Sequence, residues 1–557
     1  MFKKIAIVLY WLMIVIALAG LATQIYPALS DFFKNSQFAV TYPYSLDYGE
    51  GPLLDQTLRM ARFENIYKGS LDNPPYTISN YPPVFPLLQV PFAWIFGPAL
   101  WYGRGIAILS VLLAGLFIGL TLHTLTHNWI GALVGGLLLV AFPYIQHWSM
   151  FNRIDELALA LSWAAIYVVV RAVGPLKPAS LAGEAGAPAA PRETLAQLAR
   201  HTLAFGPFWL AALLMVGAIY TRQTYAAAAP FAAFFWLIFG AQGSWKSRFT
   251  RAVLLGMVVG GITLGLFLLL NLATQGGFYL NIVVTNVNKF IWDTVWHYGR
   301  EIRDKMWPLY TLGGAFLILE GLVAIIKLIA RLIHHFRKTP GRSTPQQPPV
   351  WRASAWALVL PYALVALAVS VTVGKDGSNV NYLLEISAAM CLAGGAALAW
   401  ALQWKRWYIR LPLYLVVIGM LAYQCTLLVS LTRKDYTAFI KERVTNLANV
   451  RAVAQIVKET PGIVLADEYM GLVALAGKPL YFQPFEYKQM ADGKIWDEMN
   501  FLSDITHHKF DVILWYEPAS WKESIQARWT GAQRSVIIMS YTLDKKIGDV
   551  SVYRPKK

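Results

Sequence analysis

Charged residues are scarce in this sequence. Asp, Glu, Lys and Arg make up 14% of its 557 residues, whereas 57% are hydrophobic; a soluble domain carries about 25% charged residues. The shortage is concentrated in long apolar runs, which excludes an ordinary soluble chain and reads as membrane. Cysteine is scarcer still: Cys391 and Cys425, both inside apolar runs, form neither a disulfide framework nor a metal pattern. His334-His335 and His507-His508 lack further His or Cys at ligand spacing. No Asp-x-Asp pair is present to grip a metal diphosphate, as in many nucleotide-sugar enzymes, and no Gly-x-Ser-x-Gly elbow. Gly471 to Lys478 is one residue too long for a phosphate loop, and Pro479 replaces the required hydroxyl. Neither a fixed-period repeat nor an inverted pair of interrupted helices, frequent in transporters, is visible. Acids are outnumbered, 31 against 48 Lys and Arg, for a formal net charge of +17. In a soluble chain that excess would suggest nucleic acid. Here the basic residues sit in short links between apolar runs, so the expected partners are membrane lipids and not nucleic acid.

What is present is a series of apolar runs long enough to span a bilayer, which takes about 20 residues. They cover 5–29, 99–124, 129–147, 156–174, 204–221, 224–241, 252–272, 308–333, 353–373, 384–402 and 411–431. The first follows Lys3 and Lys4 and lacks a clear cleavage site before Tyr26-Pro27, so a retained helix is expected rather than a signal peptide. The run 82–97 is shorter and Pro-rich, and is expected as a juxtamembrane or re-entrant helix. With the N-terminus cytoplasmic, the inside links carry Arg171, Lys177, Arg192 and Arg200; Lys246, Arg248 and Arg251; Arg331, Arg337, Lys338, Arg342 and Arg352; and Lys405, Arg406 and Arg410. That is the basic excess the positive-inside rule requires, and counting 82–97 as a span would destroy it. The expected fold is a polytopic α-helical membrane protein of about 11 transmembrane helices in a cell (inner or plasma) membrane. Residues 1–431 form its transmembrane domain and 432–557 an extracytoplasmic α/β domain. In that tail, GIVLADE, PLYFQPF, FDVILWY and SVIIMSY read as strands, and stretches from Tyr469 and around 487–506 as helices. Two inside links, 174–194 and 338–349, have the composition of flexible linkers.

Ionisable groups near membrane depth cost about 2.5–3.5 kcal/mol each on insertion scales, which makes them candidates for function. Four clusters fall at the outer side. Asp47 and Glu50, with Gly49 and Gly51 on either side of the latter, suit a tight exposed turn whose carboxylate can act as a general base, the alternative being an ordinary acidic loop. Arg153 and Asp155 open a span; helix capping alone would account for the Asp. Arg222, in the break Thr221-Arg222-Gln223-Thr224, defies the positive-inside preference, which an anion ligand or snorkelling to headgroups would explain. Lys375 to Glu385 is a Gly-rich link where backbone N–H groups and Lys375 can hold a phosphate, followed by Asn381, Tyr382 and Glu385.

Taken in order, these motifs resemble the GT-C superfamily of membrane glycosyltransferases, in the branch of protein O-mannosyltransferases and bacterial lipid A aminoarabinose transferases. The resemblance covers most of 1–431: Asp47 to Glu50, Asn80-Tyr81-Pro82-Pro83 before a short helix ending Phe96-Gly97, Arg104, Arg153-x-Asp155, the Thr221 to Thr224 hairpin, and Lys375 to Glu385. It implies a polyprenyl-phosphate sugar donor, a lipid, glycan or protein acceptor, and a catalytic carboxylate in the first outer loop with a second acidic position, here Asp155. The first falls on Glu50 or Asp47, because Gly49-Glu50 stands where an adjacent Asp-Glu pair is common; spacing to Arg59-Met60 favours Glu50. Arg222, Lys375, Arg300 and Arg303 are the expected phosphate ligands, and Arg153, Tyr81, Asn381, Tyr382 and Glu385 further substrate contacts. No cofactor is required by such chemistry, although Asp155 is compatible with a divalent metal. The competing class is a lipid or solute transporter, against which the long acidic loop and the missing repeat both count.

Overall fold

The computed structural model describes residues 2–175, 194–286, 288–336, 356–404, 406–518 and 524–556. The two linker expectations lie almost wholly outside these residues. The membrane part runs α1 (Phe2–Thr41), α2 (Glu50–Ala61), α3 (Val84–Phe96), α4 (Trp101–Thr126), α5 (Trp129–Ala141), α6 (Pro143–Ser149), α7 (Asp155–Val173), α8 (Leu195–Leu203), α9 (Gly206–Ile219), α10 (Ala228–Phe239) and α11 (Trp245–Ala273). A one-turn α12 (Gly277–Tyr279) then leads to α13 (Trp292–Lys305), α14 (Trp307–Phe336), α15 (Trp356–Ser370), α16 (Leu384–Leu402) and α17 (Trp407–Thr445).

Among the described residues, seven helices are long and apolar enough to cross a membrane. Three bent pairs, α5 with α6 (55°), α8 with α9 (69°) and α13 with α14 (91°), raise the number to ten if each is one span. The chain is a multi-pass membrane protein. The remaining expected run, 224–241, corresponds to the shorter apolar helix Gln223–Phe239, which at about 1.5 Å per residue falls just short of a 30 Å hydrocarbon core. The run 82–97 is the short helix α3. At the centre stands α16, nearly every residue of which is buried; its small side chains, among them Ala388, Ala389, Ala393 and Ala396, let α5, α14, α15 and α17 approach closely.

Two helices outrun the bilayer. α1 continues to Thr41 and α17 to Thr445, so no break falls at residue 431. They pack along each other, and Arg433 on α17 donates to Asp31 on α1 at 3.1 Å. Beyond α17 come α18 (Leu447–Glu459), β1 (Val464–Ala466), α19 (Met470–Leu475), α20 (Pro484–Asp492), α21 (Met499–Thr506), β2 (Val512–Tyr516), α22 (Ser524–Arg528), α23 (Gly531–Ser540), β3 (Tyr541–Ile547) and β4 (Val550–Pro555). The sheet order is β1-β2-β4-β3, with β1 and β2 parallel and the remaining pairs antiparallel.

Two strand expectations fail here. SVIIMSY is mostly the helix α23, started by a capping box in which Thr530 and Gln533 satisfy each other's backbone N–H groups. PLYFQPF makes only a single bridge, Tyr76 to Phe482, because Pro479 and Pro484 remove ladder donors on both sides. That bridge ties the segment between α2 and α3 to the tail. Tyr76 N–H donates to Tyr481 O at 2.6 Å and Gln483 N–H to Tyr76 O at 2.9 Å. The Tyr76 ring, 1% exposed, sits among Tyr481, Tyr487, Trp496 and Phe501 at centroid distances of 5.4–5.8 Å.

Candidate active site

Glu50 opens α2 and is fully buried. Arg104 of α4 donates to it twice, Nε to Oε1 at 2.8 Å and Nη2 to Oε2 at 2.8 Å. Asn152 N–H donates to Oε1 at 2.7 Å and Leu46 N–H to Oε2 at 2.6 Å. Arg104 Nη1 in turn donates to the carbonyls of Ala39 and Tyr42. One ion pair therefore fastens the end of α1, the start of α2, the loop before α7, and α4. The turn around Glu50 is thus closed rather than exposed. Its glycines serve close approaches: a Cβ on Gly49 would collide with the Arg153 guanidinium, and one on Gly51 with the backbone of Gly471 in α19.

Asp47, three residues earlier, faces a cavity of about 920 Å³ that Glu50 does not line. Its Oδ2 accepts from Gly49 N–H at 2.9 Å, from Arg153 Nε at 2.8 Å and from Arg153 Nη2. Oδ1 accepts no hydrogen bond among the described residues, and the carboxylate is 21% exposed. The same cavity is lined by Tyr81, Arg222, Lys375, Asn381 and Tyr382. Arg222 is 2% exposed, forms an ion pair with Asp155 and lies over the Tyr382 ring at 4.4 Å. Asp155 does not cap α7. Its Oδ2 accepts from Trp148 Nε1 at 2.6 Å and its Oδ1 from Asn381 Nδ2 at 3.4 Å, so it holds Arg222 from behind.

The tail forms one wall of the cavity. Glu468, Phe485, Glu486, Gln489 and Arg528 all line it. Tyr48 Oη donates to Glu486 Oε2 at 2.9 Å, and Arg528 pairs with Glu468 while lying over the Tyr48 ring. Burial pushes both the Glu468 and Glu486 carboxyls above the ordinary range. Among the described residues no group of three or more His, Cys, Asp or Glu is placed to hold a metal ion.

No family model and no curated protein matches this sequence. Solved structures do. ArnT from Cupriavidus metallidurans in the apo state aligns with a TM-score of 0.52 at 14% identity, covering 96% of this chain and 97% of that one. The same protein bound to undecaprenyl phosphate gives 0.50 at 14%, with the same coverage. The Archaeoglobus fulgidus oligosaccharyltransferase in the apo form gives 0.49 at 12%, covering 97% and 74%. This chain has the GT-C fold.

Within that GT-C fold, the expected site residues sort by position. Asp47, Arg153, Tyr81, Arg222, Lys375, Asn381 and Tyr382 share the cavity. Glu50, Asp155 and Glu385 do not line it: the first two brace residues of the site from behind, and Glu385, 3% exposed, is packed into the first turn of α16. Of the two carboxylates expected as base, Asp47 lines the cavity and Glu50, the one favoured by spacing, does not; Arg104 and backbone donors occupy both Glu50 oxygens. Arg300 and Arg303 are corrected as well. They lie on the exposed surface of α13, where Arg303 bonds its neighbour Asp304 at 2.8 Å, and neither lines the cavity. The Lys375 loop also differs from expectation. The N–H groups of Lys375, Asp376, Ser378 and Asn379 already donate to Thr372, Lys289, Lys375 and Asn381. A phosphate there would be met by the lysine side chain, not by those amides. Sequence reasoning missed Tyr48, Glu468, Glu486 and Arg528. Asp467 bonds Glu468 N–H, Tyr516 N–H and Trp529 Nε1 in the core, whereas Glu468 reaches the cavity.

Proposed function

We propose that this protein is an inverting glycosyltransferase that moves a sugar from a polyprenyl-phosphate donor to an acceptor hydroxyl at the outer face of the membrane. The observation that carries the reading is one cavity presenting an incompletely bonded carboxylate, Asp47, together with the cations Arg222 and Lys375. Asp47 Oδ1 takes the acceptor proton as the hydroxyl oxygen attacks the anomeric carbon. The bond from that carbon to the phosphate oxygen breaks on the opposite face, inverting the centre, and polyprenyl phosphate leaves as an anion. Arg222, prealigned by Asp155 and Tyr382, and Lys375 stabilise the growing charge. Arg153 holds Oδ2 and so aims Oδ1.

A place for the lipid adjoins. An apolar groove between α9, α10 and α11 shares Ile219, Ala226, Thr263 and Phe267 with the cavity, and supports the entry of a long hydrocarbon tail from the bilayer. The fold likeness to ArnT, one of whose structures is bound to undecaprenyl phosphate, supports the same donor class.

The test uses purified protein in lipid with a panel of labelled polyprenyl-phosphate sugars. Asp47→Asn should lower turnover about 10²–10⁴-fold, the range of a general base, with little change in thermal stability. Turnover of no donor, or a fully active Asp47→Asn, rejects the assignment.

A further inference from the structure

At the membrane face opposite the cavity lies a second hollow. α7 starts at the cavity and ends here at Val173; α9 ends at the cavity and starts here at Gly206; α11 starts here at Trp245. The space between them measures about 470 Å³ and is roofed by α8. That helix is amphipathic, turning Leu198 and Thr202 inward, and it meets α9 at 69° as a surface-lying helix would.

The lining mixes polar and apolar side chains. Five lining residues are polar: His201, Thr202, Gln242, Ser247 and Arg251. Over Gly243, which has a φ of +115°, a Cβ would lie 3.5 Å from Arg251 Nη1 and 3.6 Å from Ser247 Oγ, so guanidinium and hydroxyl converge on the bare backbone there. Arg251 Nη1 also donates to Gln242 O at 3.1 Å, which holds the guanidinium in the lining. The rest of the lining is mostly apolar and includes Leu255. Leu255 is also where the groove between α9, α10 and α11 begins, running on past Gly256, Val259 and Gly260. The surrounding surface is basic, with Arg171, Arg200, Lys246 and Arg248 close in sequence to the hollow, and neither α8 nor the first turn of α11 carries an acid.

We infer that this hollow binds one anionic phospholipid. Arg251, Ser247 and His201 take the headgroup phosphate, the Arg fork matching its oxygens, and an acyl chain follows Leu255 into the groove. The charge of this face selects an anionic lipid over a zwitterionic one. The headgroup residues lie outside the cavity of the proposed sugar transfer, and the acyl chain shares the groove proposed for the donor's tail, so headgroup binding stands whether or not that reaction is correct.

The experiment is lipid binding by the full-length protein, stripped in detergent and titrated with phosphatidylglycerol or phosphatidylcholine, read by native mass spectrometry and by the apparent melting temperature. Phosphatidylglycerol should bind more tightly and raise the melting temperature more. Arg251→Gln should weaken that binding about tenfold or more, as loss of a charged hydrogen bond does; Arg251→Lys should recover part of it, and Lys246→Gln, outside the hollow, should weaken it less than Arg251→Gln does. Ser247→Ala gives an independent reading should Arg251→Gln fail to fold, with a smaller loss of the same sign. The inference is overturned if the two lipids bind equally, if Arg251→Gln or Ser247→Ala binds phosphatidylglycerol like the wild type, if inorganic phosphate alone reproduces the stabilisation, or if Arg251→Gln weakens only polyprenyl phosphate.

Discussion

Replacing Glu50 by glutamine exchanges one carboxylate oxygen for an NH2 group at a place where donors converge from every side. Oε1 receives Arg104 Nε and Asn152 N–H, and Oε2 receives Arg104 Nη2 and Leu46 N–H. Whichever position the NH2 takes, two donors face it and two charge-assisted hydrogen bonds are lost. Each is worth about 1.5–3 kcal/mol, and Arg104, itself fully buried, loses its counter-charge. Breaking a buried pair from one side costs about 3–5 kcal/mol, so a destabilisation of about 4 kcal/mol is expected. Arg104→Gln should cost a similar amount, and the double variant less than the two together, because they remove one interaction. The assay is the apparent melting temperature in detergent, followed by tryptophan fluorescence, beside turnover on the best donor. Glu50→Gln should melt several degrees lower. A Glu50→Gln protein that melts like the wild type but has lost turnover would refute the reasoning and return the base to Glu50.

Lys375→Ala should raise the donor KM about tenfold or more with a smaller effect on kcat, measured by steady-state kinetics with the donor varied; an unchanged KM removes Lys375 from the phosphate site. Asp55 of α2 is buried and accepts from Leu480 N–H at 3.1 Å, and burial pushes its carboxyl up to about 6. The folded protein therefore holds this proton more tightly than the unfolded chain does. Stability contributed by Asp55 is present at about pH 4, falls as pH rises to about 6, and is flat above, a total of about 3 kcal/mol. Asp55→Asn should remove that slope from the melting-temperature profile and be the more stable protein at pH 7. Tyr76→Ala should cost about 3–5 kcal/mol, as large aromatic truncations do, and show first as faster limited proteolysis of the tail.

The spans were legible because an apolar run is a local signal, and Arg222, Lys375 and Asp155 because charge at membrane depth is conspicuous anywhere. Extension of α1 beyond Leu29 was not, since SDFFKNSQFAVT is a mixed stretch whose helicity rests on packing against α17. That Asp47 lines the cavity and Glu50 does not turned on a partner 54 residues from Glu50, Arg104. Glu486 and Arg528 carry no local mark at all; they are ordinary residues of a soluble domain until the chain folds them against Tyr48. β3 went unread because it is a polar edge strand, with Lys545 and Lys546 exposed, the pattern that discourages pairing with other chains. The helix α23, by contrast, announced itself in Thr530-Gly531-Ala532-Gln533, and its β-branched residues drew attention away from the cap.

Tyr76 has a consequence for how the molecule is made. The aromatic residues that surround it, Tyr481 to Phe501, lie more than four hundred residues further along the chain. At about 5–20 residues per second of synthesis, the ring waits about 20–85 s for the last of them, while the intervening helices enter the bilayer. Asp47 spends that interval without the wall supplied by Glu468, Glu486 and Arg528. A nascent chain halted at any of the earlier spans thus has a cavity open on one side, and completion of the tail is the event that encloses Asp47.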